Sequence, residues 1–379
     1  MKSLVGAAIY LVAATGWALA DAYTDFNAGL AAAVRLDADG AIKFLTSALS
    51  ESDLPAHLRP VAYLARGREY ADSRQYAAAT ADFTSAIQLK PDYVEAYLSR
   101  CDVKADQKNW PEAIADCTTA VNLQPNNWRL RDIRADIYLR AKRFDEAIAE
   151  FTAFVAGRPN AIEFRLERAY AFRIAGRFEE ALTDAKASAD ADPRWAQPYT
   201  EMGMIYLAQR DLRHALDSFD SAIIRSRDDP LAYMRKGQVE WALGRYDDAS
   251  DSFRDALKHD SLQRYAFLWL AMSQSRESAS ISPDIVKRFG DADLGGFTGQ
   301  LVSLYLGRSV NVAELLKTRG IDPDSNETYE CTGDFYIGEW YQANANSAEA
   351  KRLLQATEQT CSADGSTLWL AKVDLGRLP

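Results

Sequence analysis

A period of 34 residues is the feature that most constrains the fold of this chain. Alanine recurs at that spacing without insertion or deletion, at Ala79, Ala113, Ala147, Ala181, Ala215 and Ala249. Such a period is typical of a solenoid of stacked helical hairpins, because one hairpin cannot bury its apolar stripe alone. The sequence therefore predicts a repeat protein, and an array of this kind usually provides a binding surface rather than an active site.

Two further columns share this phase. Four residues after each alanine stand Phe83, Cys117, Phe151, Ala185, Phe219 and Phe253, and twelve residues before each alanine stand Gly67, Cys101, Ala135, Ala169, Gly203 and Gly237. A small residue on the first helix lets the second helix approach closely, and the large residue fills the space between hairpins. Prolines and polar turns such as Gly176-Arg177 are expected to end the helices.

These columns resemble the tetratricopeptide repeat (TPR) family, for instance over the stretch YAAATADFTSAIQLKPD. The resemblance implies an all-α, right-handed superhelical solenoid of helical hairpins over residues 22–275, with about seven repeats and a degenerate one from Arg264. Gly29 and Leu45 place a divergent repeat before the regular ones. Residues 276–379 are predicted to form a divergent helical C-terminal cap with a linker over 278–296, a final TPR-like hairpin and a covering helix.

The first 20 residues have a different pattern. Lys2 precedes an apolar run from Leu4 to Ala14, and Ala18-Leu19-Ala20 precedes Asp21. This order is typical of a secretory signal peptide, and the run is too short to span a bilayer comfortably. We therefore expect a periplasmic protein whose signal is cleaved after Ala20; an uncleaved membrane anchor is the alternative.

The charge balance limits the partners. The formal net charge is −10 and the isoelectric point is near 5.0. This argues against a nucleic-acid backbone or an anionic membrane surface as the main partner. No second apolar segment is long enough to cross a bilayer, so stable membrane insertion is not expected.

The four cysteines form two candidate pairs. Cys101 and Cys117 occupy columns that pack against each other in a TPR hairpin, and Cys331 and Cys361 lie near the two ends of the last hairpin. An even number of cysteines in an exported chain favours disulfides. Two pairs of buried thiols are the alternative.

In TPR arrays the first helix of each hairpin lines the concave groove, so a partner-binding groove is expected on the exposed side of those helices. Its N-terminal part is charged, and also includes Asp106, Asp132 and Arg140; its later part is apolar and Met-rich, which suits a peptide or an amphipathic helix. The residues expected to line it are Arg68, Asp102, Arg129, Asp136, Tyr170, Arg173, Met204, Met234, Trp241, Leu268 and Met272. The alternative is that the C-terminal helices fold back and fill this groove.

The sequence contains no nucleophile elbow, P-loop or dinucleotide fingerprint in a strand context, and its histidines have no metal-binding spacing. No catalytic residue, metal or cofactor is therefore expected. The succession LYLGR, Cys331 and FYIGEWY resembles the C-terminal part of NlpI-like periplasmic TPR lipoproteins, which implies an adaptor for cell-wall hydrolases or a protease. The predicted function is an exported adaptor in envelope or cell-wall maintenance. The alternatives are a self-assembling component of a secretion or polysaccharide-export machine, and an enzyme subunit.

Overall fold

The computed structural model describes residues 19–158, 160–259, 264–277, 281, 283–291, 295–317, 329–361 and 366–377. Within these ranges every regular element is an α-helix, and successive helices pair into hairpins as far as His259 and again over residues 329–360. This confirms the predicted all-α TPR solenoid. The predicted signal peptide lies almost entirely outside the described residues.

The chain divides into two compact units, the first ending at Gly157 and the second beginning at Arg158. Unit 1 contains α1 (Leu19–Val34), α2 (Ala38–Ser50), α3 (Arg59–Asp72), α4 (Tyr76–Leu89), α5 (Val94–Asp106), α6 (Trp110–Leu123), α7 (Trp128–Arg140) and α8 (Phe144–Gly157). The odd-numbered helices are the first helices of the hairpins, and each packs on the helix that follows it.

Unit 2 begins with three hairpins and continues into the C-terminal helices. Its helices are α9 (Ile162–Ile174), α10 (Phe178–Ala191), α11 (Gln197–Ala208), α12 (Leu212–Arg225), α13 (Pro230–Ala242), α14 (Tyr246–His259), α15 (Arg264–Arg276), α16 (Pro283–Asp291), α17 (Gly296–Tyr305), α18 (Val312–Lys317), α19 (Tyr329–Ala343), α20 (Ser347–Thr360) and α21 (Ser366–Leu375). The predicted linker over 278–296 thus contains a helix, α16. One apolar core runs from Met234 to Ala371, so α15 is packed together with the C-terminal helices on the far side of the predicted boundary at residue 275.

The small and large columns meet as the sequence predicts. A Cβ placed on Gly67 would lie 2.6 Å from the Phe83 ring, and Gly203 stands in the same relation to Phe219. The glycine is therefore required for the close approach of the two helices. Gly29 with Leu45, and Gly338 with Leu354, repeat this contact in the first and the last hairpin. Both divergent hairpins are thus in the TPR phase.

In one hairpin a disulfide takes the place of this contact. Cys101 on α5 and Cys117 on α6 are fully buried and bonded to each other, with their Cα atoms 5.7 Å apart. This is the predicted pairing. Cys361 is also disulfide-bonded, whereas the side chain of Cys331 lies outside the described residues.

A ladder of ion pairs follows the same period, and the sequence analysis missed it. Arg66 Nη2 lies 2.7 Å from Asp82 Oδ1, and Arg100 Nη2 lies 2.7 Å from Asp116 Oδ1. Arg134–Glu150 and Arg168–Asp184 continue the series. Each pair joins the two helices of one hairpin, with the carboxylate buried and the guanidinium half-buried. A buried carboxylate requires such a partner, so these residues are structural.

The turn inside each hairpin contains a residue in the left-handed backbone region. Its occupants along the regular repeats are Arg74, Lys108, Lys142, Gly176, Arg210 and Gly244. Leu36 and Ala345 adopt the same conformation in the first and the last hairpin, with φ of 61° and 56°. The conformation is therefore a property of the repeat, and most of its positions are filled by residues that prefer φ below zero.

The exposed face of the first helices

The candidate functional site is best described through one column of the repeat. The residue that follows the small residue of each first helix points to the side predicted to line the groove. Along the chain this column consists of Arg68, Asp102, Asp136, Tyr170, Met204, Gln238 and Met272. Its members are exposed as far as Tyr170, half-buried at Met204 and buried from Gln238 onward. The column is therefore an open surface only in its earlier part.

In unit 1 this surface contains three aspartates besides Asp106, which pairs with Arg140. Asp102 on α5 and Asp136 on α7 are exposed, and Asp132, one turn before Asp136, is half-buried. No salt bridge or side-chain hydrogen bond to any of the three occurs among the described residues of the chain. We call these three aspartates the acidic face.

The acidic face has altered electrostatics. Although the side chain of Asp102 as a whole is exposed, partial desolvation of its carboxyl raises its pKa. Asp106 and Asp136 raise this pKa further, against the opposing effects of Arg140 and Arg68. Desolvation also raises the pKa of Asp132, with Asp136 adding to it, and raises that of Asp136 against the effect of Arg140. Negative charge is thus held on this face at a cost in stability that no internal cation fully offsets.

The cations of this strip are partly engaged. Arg140 on α7 pairs with Asp106 on α5 at 2.9 Å, which links neighbouring hairpins. Arg68 Nε donates to Ser99 Oγ at 3.3 Å, and the Arg129 guanidinium lies 5.6 Å from the centre of the Trp128 ring. The structure therefore brings the predicted charged residues of unit 1 to one side of the first helices.

The corresponding surface of unit 2 begins with Tyr170, Arg173 and Met204. Arg173 Nε lies 2.7 Å from Glu201 Oε1, and its guanidinium lies 5.0 Å from the centre of the Tyr170 ring. Arg173 is thus held by a neighbouring first helix and by an aromatic face. Tyr170 is exposed and Met204 is half-buried.

The four apolar residues at the end of the predicted groove require a correction. Met234, Trp241, Leu268 and Met272 are all buried in the core of unit 2, so they cannot line an open groove. The cause is that C-terminal helices pack against α13 and α15. The Trp241 ring centre, for example, lies 6.2 Å from that of Phe335 on α19.

A buried ionic cluster fixes these C-terminal helices. Arg276 at the end of α15 donates to Glu339 on α19 at 2.6 Å and also pairs with Asp374 on α21. Arg377, just beyond α21, donates to the Ala242 carbonyl at 2.7 Å. Burial, followed by the proximity of Asp374, raises the pKa of Glu339 well above its usual range.

This pair of carboxylates matters for the enzyme alternative. Both side chains are almost fully buried, and both are paired with the Arg276 guanidinium. Neither Glu339 nor Asp374 is among the residues that line the pocket of this region. Their arrangement fits a structural ion cluster better than a general acid and a general base.

The pocket itself lies on unit 2, between α15, α16, α17 and α19, and has a volume of about 530 Å³. Apolar side chains including Ala271, Ile281, Val286, Leu304, Leu306 and Trp340 line it, but about half of its exposed wall is polar. Ser275 and Asn344 add polar groups, and Arg308 is the only charged residue of the lining. Pockets of this size are in the range that binds small ligands or a few side chains.

Over the described ranges, no group of histidine, cysteine, aspartate and glutamate side chains has an arrangement that could hold a metal ion. In the same part of the chain no helix has both the length and the apolar character needed to cross a bilayer.

The hairpins and the exposed face of their first helices define a helical repeat protein of the binding type. The family model of the tetratricopeptide repeat matches residues 64–127, 134–194, 200–266 and 238–274, which is more than half of the chain. The chain therefore belongs to the tetratricopeptide repeat family, whose members are typically non-enzymatic scaffolds. The more specific C-terminal resemblance to NlpI-like lipoproteins stays a prediction.

One solved structure supports this fold, and two others are less similar. A tetratricopeptide repeat protein from Parabacteroides merdae is 14% identical, and the match covers 67% of this chain and 99% of that chain with a TM-score of 0.53. YrrB, described as a TPR protein with an unusual peptide-binding site, is 21% identical over 50% of this chain and 95% of its own, with a TM-score of 0.37. PilW, described as a type IV pilus biogenesis factor, is 18% identical over 55% of this chain and 96% of its own, with a TM-score of 0.42. A comparison with curated protein sequences found no match.

Proposed function

We propose that this protein is an exported, non-enzymatic adaptor of the periplasm of a Gram-negative bacterium, which holds a partner protein on the exposed first-helix face of unit 1. The observation that carries the proposal is the acidic face: Asp102, Asp132 and Asp136 present carboxylates with no ion-pair partner among the described residues. The partner segment accordingly carries lysine or arginine side chains, which satisfy these carboxylates.

The N-terminal sequence and the cysteines support export. Lys2, the apolar run and the Ala18-Leu19-Ala20 site have the order of a signal peptide. Disulfides persist in oxidising compartments, and Cys101–Cys117 occupies a column where another hairpin has Gly67 and Phe83. Reduced thiols there would leave the hairpin without its large residue, so the chain suits a compartment in which this bond forms.

The setting we propose is envelope or cell-wall maintenance, with a cell-wall hydrolase or a protease as the partner. The family membership supports a scaffold, and the overall acidic charge favours a basic partner segment over nucleic acid. On unit 2 we propose a second contact surface for the partner at Tyr170, Arg173 and Met204.

Site-specific photo-crosslinking in living cells tests this function. A photoreactive amino acid at Arg129 on the acidic side of α7 should capture one defined protein, and the same probe at Ile224 on α12 should not. The triple variant Asp102→Asn, Asp132→Asn and Asp136→Asn should no longer capture this protein, because the charges that attract its basic segment are gone.

The matched control changes three exposed carboxylates outside the face. Asp190→Asn, Asp217→Asn and Glu358→Gln alter the net charge equally and should leave capture intact. Equal loss in both triple variants would show a general charge effect and would refute binding on the acidic face. Recovery of the protein only in the cytosol would refute export.

A further inference from the structure

The turn between α1 and α2 presents two large apolar side chains to solvent. Val34 is 84% exposed and Leu36 is 91% exposed. Leu36 also adopts the left-handed conformation, with φ of 61°. We call Val34 and Leu36 the apolar knob.

Comparison with the other hairpins shows that the knob is exceptional. The equivalent left-handed residues elsewhere are Arg74, Lys108, Lys142, Gly176, Arg210, Gly244 and Ala345, all charged or small. A leucine at such a position is unfavourable in two ways, since its backbone is strained and its side chain is in water. Residues retained against such costs are concentrated at functional contacts.

A pocket that could accept the apolar knob lies on the same chain. The pocket of unit 2 holds about 530 Å³, and about half of its exposed wall is apolar, including Val286, which is 38% exposed. This volume exceeds what one aliphatic side chain fills and suits the two side chains of the knob.

The charges beside the two surfaces are also complementary. Asp39 is exposed in the first turn of α2, three residues after Leu36. At the pocket, Arg308 donates one N–H to the Gly290 carbonyl at 2.7 Å and keeps further donors, because a guanidinium carries five. Entry of the knob would bring this aspartate and this arginine together.

We propose that the apolar knob of one copy of this protein occupies the pocket of unit 2 of a second copy, with Asp39 pairing with Arg308 of the partner. Knob and pocket are different surfaces of one chain, so the contact is head-to-tail. Such contacts produce rings where the rotation closes and open chains where it does not. The contact uses neither the acidic face nor its charges, so it stands independently of the proposed function.

Sedimentation velocity of the full chain, purified over a range of concentrations, tests the association. The wild-type protein should shift from monomer to larger species as its concentration rises. Leu36→Asn should weaken self-association at least about tenfold, because the apolar burial at the knob is lost. Asparagine tolerates the left-handed conformation, so the variant keeps its fold and its helical circular dichroism.

Two further variants make the test specific. Val286→Glu places a charge in the pocket and should also weaken association at least about tenfold. Ile224→Asn removes an apolar side chain that is 71% exposed on α12 and should leave association unchanged. Equal loss in this control would indicate non-specific stickiness and would overturn the proposal.

Mixing the defective variants decides the geometry. The Leu36→Asn copy retains its pocket and the Val286→Glu copy retains its knob, so an equimolar mixture should form a one-to-one heterodimer and nothing larger. A wild-type protein that stays monomeric at every concentration would overturn the proposal. So would a mixture that yields no heterodimer.

Discussion

The column that follows the small residue of each first helix is exposed in unit 1 and buried late in unit 2. In unit 1 its residues are Arg68, Asp102 and Asp136, and all three are exposed. Late in unit 2 its residues are Gln238 and Met272, and both are buried. A position in a TPR repeat is thus a binding surface or a core position depending on what the rest of the chain places over it.

The reason is the composition of the helices. Every residue of α15 from Ala266 to Gln274 is buried, so this helix is surrounded on all sides and requires a cover. The C-terminal helices provide that cover and are held by Arg276. The charged column of unit 1 has no such requirement and remains open to a partner.

The largest difference between the units is expected when one buried side chain of unit 2 and one exposed side chain of unit 1 are each truncated to alanine. Trp241→Ala should lower the free energy of unfolding by about 3–5 kcal/mol, because it empties a fully buried aromatic site of unit 2. Asp136→Ala on the exposed column of unit 1 should change it by less than about 0.5 kcal/mol. Urea unfolding followed by circular dichroism measures both, and a small effect of Trp241→Ala would mean that the cover opens readily.

The repeat columns could be predicted from the sequence, whereas the packing of the C-terminal helices over α13 and α15 could not. The small and large columns, the hairpins and the Cys101–Cys117 bond follow from a period of 34 residues, because each depends on contacts inside one hairpin. Even the first divergent hairpin was located, through Gly29 and Leu45.

The cover could not be predicted in this way. The apolar side chains of Trp241 and Met272 are equally compatible with a peptide groove and with a buried core, and only long-range packing decides between them. The unbroken apolar run from Ala266 to Met272 on α15, which leaves this part of the helix without a polar face, was the available signal for a core. The ion-pair ladder, by contrast, was visible as arginine followed 16 residues later by an acid, as in Arg66 and Asp82, at the same period.

A second test asks whether the two units share one packing rule beneath their different surfaces. Gly67→Ala in unit 1 and Gly203→Ala in unit 2 should each destabilise by about 1–3 kcal/mol, because the new Cβ would lie 2.6 Å from a phenylalanine ring. Thermal unfolding gives the comparison. Gly157→Ala is the control, since a Cβ there meets nothing within 4 Å. Very unequal effects of the first two changes would show that the units differ in their interior as well.

A third test concerns the acidic face and its pH dependence. Partial burial raises the pKa values of Asp102, Asp132 and Asp136 in the folded state. Above these raised values the carboxylates are charged and destabilise the fold; as the pH falls through them, the folded state binds protons more tightly than the unfolded state and gains stability. Changing all three to asparagine should therefore raise Tm at neutral pH, and the gain should shrink in acid.

Calorimetric scans of both proteins across this pH range measure the difference. The triple variant of Asp190, Asp217 and Glu358 described above gives the effect of net charge alone. A gain that is the same at all pH values would contradict desolvated carboxylates on this face and would weaken the argument for a partner there.

The smallest effects are expected at the turns, where the units also differ. In unit 1 the left-handed residue is Leu36, Arg74, Lys108 or Lys142, whereas unit 2 has Gly176 and Gly244 at two of the equivalent positions. Lys108→Gly should raise the free energy of unfolding by up to about 1 kcal/mol, because glycine adopts this conformation without strain. Gly176→Lys should lower it by a similar amount, and Asn as a third residue at either position should fall between the two. Urea unfolding of the paired variants measures these changes in the free energy of unfolding. If both substitutions lowered it, a contact of the Lys108 side chain would have to offset the strain of its backbone.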